Sequence, residues 1–262
     1  EYNSRILRRW NVDSRFAQYP NQSPYLCFNG NPIIYNDPAG EGGVLTVNEN
    51  RTGTIKMRVV LYSDVVDEVQ LNAIKSNLQS TIKDQLGQTY TLQTNNGSNM
   101  GTTWTVYVKF EIEIEVMDYN AATSEASENK SVANNYFYVG NFETPKGNTT
   151  GGFQQGNTGI ISKDASSETG LHEILFTLGF YTEKGQPHQH PSNPKSLLFA
   201  GNDDMGHVQA QQQYKQTILK KDMDNLTNPN GRRSNVPDTY YEKQTKGYGE
   251  TTNQTYDANS AG

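Results

Sequence analysis

Cysteine is almost absent from this sequence. Cys27 is the one thiol in 262 residues. That excludes an internal disulfide and a cysteine-based zinc knuckle, each of which needs more than one. Long apolar runs are missing too, and none approaches the ~20 residues of a membrane-spanning helix. The start, EYNSRILRRW, has no apolar stretch of the signal-peptide kind, so the chain reads as a fragment or mature piece of something longer. Cations are in deficit, with 22 Lys and Arg against 28 Asp and Glu. The net charge of −6 argues against a nucleic-acid backbone as the main partner, because phosphate binding wants clustered Lys and Arg. Apolar residues make up 33% of the chain and mean hydropathy is −0.80. A folded centre with polar tails or long loops is therefore expected.

Histidine is also scarce, but it is concentrated. All four histidines, His172, His188, His190 and His207, lie in one short window of the second half. Such clustering near Glu and Asp points to a metal or acid–base site.

The pattern divides the chain into three. Residues 1–43 are dense in aromatics, Pro and Asn-Gly turns, with no helical period, and read as short strands and tight turns closing on the flexible AGEGG. Residues 44–227 carry the periodic segments. Gly53 to Ser63 alternates as a strand. Asp67 to Gly87 places Val69, Leu71, Ile74, Leu78, Ile82 and Leu86 at helical spacing and stops on glycine. Thr102 to Tyr119 is a long alternating strand, apolar on one face and carrying Glu111, Glu113 and Glu115 on the other. This is the pattern of an edge that charge protects and that could bind a peptide by strand addition. NNYFYVGNF and NTGIISKD read as short strands. DASSETGLHEILFTLGF reads as a helix capped by Asp164 to Ser167 and ended near Gly179, and His207 to Leu226 as a final helix. Residues 228–262 hold almost no aliphatic side chains and read as a polar, extended tail.

The first segment resembles the last repeat of an RHS/YD-repeat core. The residues that carry the likeness are Arg9, Trp10, Asp13, Tyr19, Pro20, Ser23, Pro24, Tyr25, Asn31, Pro32, Ile33 and the closing Asp37, Pro38, Ala39 and Gly40. In that family the core wraps into a hollow shell, and a variable toxin domain comes after the Asp-Pro-x-Gly. The resemblance implies that residues from about 44 onward are an effector domain, secreted or delivered into a target cell by a bacterial secretion system. It also implies a cognate immunity protein and the RHS shell as partners. Ser14 stands where self-cutting members have proline, and Glu41 comes after Gly40.

The second resemblance is to zincin metallopeptidases. Strand, long helix, strands and a His-Glu helix come in the order of a zincin domain. HEILFTLGF, His172 to Phe180, is similar to the metzincin-like HExxHTLGL at every position that defines it except 176, where Phe176 stands for the second histidine. In such a helix residues i and i+4 share a face, so two imidazoles reach one zinc while the glutamate polarises the bound water. The usual third histidine would fall at Thr182, and His188 and His190 come instead, farther along. The stretch HQHPSNPKSLL looks like the loop of a last ligand and then the equivalent of a Met-turn, with Leu198 in the place of methionine.

Three site readings stand side by side. His172, His188 and His190 can hold zinc, with Glu173 as general base. The site can be degenerate and the domain a pseudo-enzyme. Or Asp203, Asp204 or His207 can complete the metal shell. Plainer readings exist for each part: a core helix built on Leu171, Ile174, Leu175 and Leu178, a solvated loop at His188 and His190, and capping by Asp203 and Asp204. The fold expected is α+β: a zincin-like domain of mixed twisted sheet, long helix and active-site helix after a short β-rich segment. The function expected is a zinc-dependent peptidase toxin acting on target-cell proteins, with no membrane span. The alternatives are a catalytically inactive protease-like binding domain and a metal-dependent nuclease toxin. The acidic balance and the lack of a ββα pattern count against the nuclease.

Overall fold

A computed structural model describes residues 2–3, 8–9, 43–48, 50–93, 105–131, 133–142, 151–180, 190–199, 207–224, 226, 244–248 and 254–257. The chain divides into two units, Glu1–Pro38 and Ala39–Gly262. In the first, β1 (Tyr2–Asn3) pairs antiparallel with β2 (Arg8–Arg9).

The second unit is mixed α and β, built on one curled sheet. Its centre is β4 (Thr52–Tyr62), in which Ile55, Met57, Val59 and Leu61 alternate with residues of the other face. Asp67 caps the next element, its side chain accepting from the Gln70 N–H. It opens α1 (Glu68–Leu86), which closes on Gly87. Leu71, Leu78 and Leu86 of α1 are buried, but Val69, two positions before Leu71 and so on the opposite face of the helix, is 79% exposed. β5 (Tyr90–Gln93) and β6 (Thr105–Val116) come next. The helical crossover lets β6 pair parallel with β4. β6 also pairs with β5 over Thr105 to Val108, so among the described residues only its part beyond Val108 is unpaired on that side.

Asp118 then caps α2 (Tyr119–Glu128), a helix too poor in large apolar residues to announce itself. Ala122 and Ala126 pack it on the sheet, and Arg58 of β4 donates to Glu125 at 2.5 Å. β7 (Asn134–Gly140) pairs parallel with the second half of β4. β3 (Gly43–Val47) takes the first half of that same edge, antiparallel. β3 and β7 thus share one edge of β4. β8 (Gly152–Gln155) turns into β9 (Thr158–Ser162) through Gly156, whose φ of 60° suits the first place of a two-residue hairpin. β9 runs parallel to β7, and β8 lies outside it, antiparallel.

Ser166 caps α3 (Ser167–Phe176), its hydroxyl accepting from the Thr169 N–H. Gly179, at φ 76°, ends the turns beyond it. α4 (His207–Gln213) and α5 (Lys220–Asp224) replace the single final helix expected over 207–226. Between them Thr217 bridges to Ser196, which takes the chain out of helical geometry.

The sheet has a core on each face. One is closed by α1 and α3 against Ile55, Val59, Phe137, Val139 and Ile161. The other joins Tyr62, Tyr136, Tyr138 and Ile160 to α2 and to Tyr256, which is 5% exposed. Two parts of 228–262 thus belong to the fold: β10 (Gln244–Tyr248) pairs antiparallel with β3, and the Tyr256 N–H donates to the Tyr62 hydroxyl at 3.2 Å. Among the described residues no helix is long and apolar enough to cross a membrane.

Tyr256→Ala removes the one large ring that ties residues 254–257 to the second core. It is expected to lower unfolding stability by about 3 kcal/mol in urea titration, the usual cost of emptying a buried aromatic site. A variant as stable as wild type would show that this segment does not dock.

Candidate metal centre

The helix that carries the His-Glu pair has no solvent face over its second half. Thr169 to Phe176 are all buried, between β8 and β9 on one side and α1 on the other. Two ionisable side chains, His172 at 3% and Glu173 at 9% exposure, are carried into the core with it. Burying a polar group is costly unless it finds a hydrogen-bond partner, so each side chain raises its own question.

His172 has its answer in the loop after His190. Ser196 to Phe199 form a tight turn closed by the Phe199 N–H on the Ser196 carbonyl, at 3.1 Å. Leu197 and Leu198 at its centre are fully buried. The Leu197 carbonyl accepts from His172 Nδ1 at 2.9 Å, and the next carbonyl, Leu198, accepts from His190 Nδ1 at 3.1 Å. A carbonyl can only accept, so both neutral rings carry their proton on Nδ1 and their lone pair on Nε2. The same arrangement orients metal-bound histidines generally.

The two imidazoles lie side by side, with ring centres 5.2 Å apart and planes 13° from parallel. Two histidines on one tetrahedral zinc, each ~2.1 Å from the metal, hold their ring centres on the order of 5 Å apart. The spacing therefore fits a shared metal. Phe176 stands edge-on to both, 4.8 Å from the His172 ring and 5.0 Å from that of His190. It is 1% exposed, and at i+4 from His172 it fills the place of a second helical ligand.

Glu173 has no hydrogen-bond or ion-pair partner among the described residues. Burial alone raises its carboxyl from the ordinary 4.5 to about 8. Its side chain lies against β8, where a Cβ on Gly152 would come within 2.6 Å of Glu173 Cγ. Glycine is thus what lets the strand approach the carboxyl so closely.

Of the predicted site residues, His172 and His190 come together, while Glu173, next to His172 on the helix, lies with its side chain against β8. His188 lies outside the described residues, as do Asp203 and Asp204. His207 falls in α4, with its side chain outside the described part. Among the described residues no three His, Cys, Asp or Glu side chains form a metal-holding group. Sequence reasoning missed the turn carbonyls, because a backbone acceptor leaves no residue signature.

Glu173 makes the metal-free fold pH-sensitive. Its folded pKa lies above the unfolded value, so the fold binds a proton that the unfolded chain has released between about 4.5 and about 8. Ionising the buried carboxyl costs the fold stability, so stability is highest below pH 4.5 and falls as pH rises towards 8, by about 1 kcal/mol per pH unit. Glu173→Gln is expected to abolish the slope relative to wild type in chemical denaturation with a chelator present. Parallel pH profiles for the two proteins would show that Glu173 is not buried as described.

No protein-family model matches this chain, and no curated protein matches it.

Proposed function

We propose that residues 44–227 form a zincin-like, zinc-dependent peptidase domain, and that His172, His190 and His188 hold the metal. The observation that carries this reading is the imidazole pair. Two histidines eighteen positions apart in sequence are brought to metal-sharing distance, and each gives its Nδ1 proton to a carbonyl of one turn. A bound zinc would polarise a scissile carbonyl and lower the pKa of a water. The chain's own residues supply the rest. His172 and His190 present their Nε2 lone pairs. Glu173, one residue along the helix, would be the base that takes a proton from that water, and a nearby dication would draw its pKa back down. β8 offers an outer edge that pairs with no strand among the described residues, beside Glu173, for an extended peptide to add to. This edge lies nearer the site than the half-paired β6 that the alternation singled out. In keeping with the RHS-like segment before it, the domain acts on target-cell proteins as a delivered toxin and is met at home by an immunity protein.

Phe176 favours a second reading. An aromatic ring packed on both imidazoles takes the volume of the missing ligand, as it would in an inactive protease-like scaffold that binds without cutting.

Metal analysis of the purified chain separates the two. The peptidase reading expects about one zinc per chain, lost in His172→Ala and His190→Ala. It also expects peptide cleavage that falls on the order of 10²–10⁴-fold in Glu173→Gln while zinc is retained. A wild type that binds no zinc and a Phe176→His variant that gains both zinc and cleavage would overturn it in favour of the degenerate scaffold.

A further inference from the structure

Both imidazoles depend on one turn, and that turn is held from behind by two side chains that no metal reading requires. In a trans peptide the C=O and N–H of one unit point in opposite directions. The Leu197 carbonyl, which receives His172, shares its peptide unit with the Leu198 N–H. That N–H donates to Ser196 Oγ at 3.1 Å. The Leu198 carbonyl, which receives His190, shares its unit with the Phe199 N–H, which donates to the Ser196 carbonyl at 3.1 Å. Ser196 therefore grips the rear of both peptide units whose fronts hold the histidines. With its oxygen accepting from Leu198, the Ser196 hydroxyl donates its proton to Asp222 Oδ2 at 2.7 Å. Asp222 is 1% exposed, and the same oxygen takes the Leu219 N–H at 2.7 Å, which fixes the carboxylate at the start of α5. Ser196 is itself fully buried and bridged to Thr217, and Thr217 O takes the Leu197 N–H at 2.9 Å. Every N–H of the turn is thus committed, and its carbonyls have one direction in which to point.

We propose that Ser196 and Asp222 are positioning residues, a buried hydroxyl–carboxylate pair that sets the tautomer and direction of His172 and His190 through the Ser196–Phe199 turn. The two grips differ. His172 is reached through the serine side chain and His190 through the serine backbone, so removal of the hydroxyl acts on His172 first. The tautomer claim stands on the metal-free protein. Its consequence for metal affinity rests on the zinc reading above.

The test is long-range ¹H–¹⁵N NMR of the histidine rings in the full chain without metal, at a pH where the imidazoles are neutral. Wild type is expected to show His172 and His190 as Nδ1–H tautomers. Ser196→Ala is expected to turn His172 into a tautomer mixture while leaving His190 mostly Nδ1–H. Asp222→Asn keeps an oxygen acceptor for the serine and is expected to hold both rings as in wild type. If zinc binds, Ser196→Ala should weaken it 10–100-fold, as loss of an outer-shell partner does. A wild-type His172 protonated on Nε2 overturns the proposal, and this needs no variant to fold. So does a folded Ser196→Ala whose His172 tautomer is unchanged. A wild type that shows the expected tautomers, and the expected response to Ser196→Ala, but binds no zinc supports the positioning role and sinks the peptidase reading alone.

Discussion

The hydrogen bonds from two imidazoles to neighbouring carbonyls of a buried turn are the constraint around which this domain is arranged. They exist because α3 is buried over its whole second half, which leaves His172 no water to bond. The partner must then come from protein, and from a rigid part of it, since a mobile acceptor would leave the ring unsatisfied for part of the time. A tight turn with Leu197, Leu198 and Phe199 fully buried meets that need. The same turn reaches His190, so a helix and a loop separated in sequence share one support. Packing and polarity are coupled here: the apolar side chains that bury the turn also exclude water from the bonds it makes.

Glu173 shows the other outcome of the same burial. Its neighbour on the helix found a partner, whereas it has none among the described residues, and its carboxyl rises to about 8 as a result. A domain selected for stability alone would have an apolar residue there, since an unpaired carboxyl in a core weakens the fold. Gly152 deepens the point. Any side chain at that position would collide with the glutamate, so the strand gives up a side chain to keep the carboxyl where it is. On the peptidase reading, that local cost is what keeps a base beside the metal.

Much of this arrangement was legible in the sequence, because it rests on periodicity and caps. β4, α1, β6 and α3 each bury an apolar pattern long enough to read, and Asp67 and Ser166 sit where helix starts want them. β8, β10 and α2 were not legible. They are short or polar and are fixed by pairing and by contacts such as Arg58 with Glu125, which are long-range and leave no local trace. The coming together of His172 and His190 was expected from their chemistry. The role of Ser196 and Asp222 was not, because a serine and an aspartate 26 positions apart carry no signal until the fold stacks them behind one turn. Val69 failed in the opposite sense: it was read into the apolar stripe, yet it stands two positions before Leu71, on the opposite face of the helix, and is exposed.

Phe176 ties these strands of argument together. In a zinc helix of the usual pattern the metal links positions i and i+4 to the loop, and the ligands are held by what they bind. Here position 176 carries a ring that touches both imidazoles edge-on. Such contacts are favourable by about 0.5–1.5 kcal/mol each beyond the area they bury. The ring therefore does by packing part of what a bound ion does by coordination: it spaces the histidines and holds the loop against the helix. The turn fixes their Nδ1 ends, and Phe176 fixes their flanks. An imidazole pair braced in this way loses little freedom on taking up a metal, which favours binding. The helix, however, supplies one nitrogen fewer, which weakens it. The balance between these two effects is set by a single side chain, and on the proposed zincin-like reading it separates a working site from a well-packed remnant.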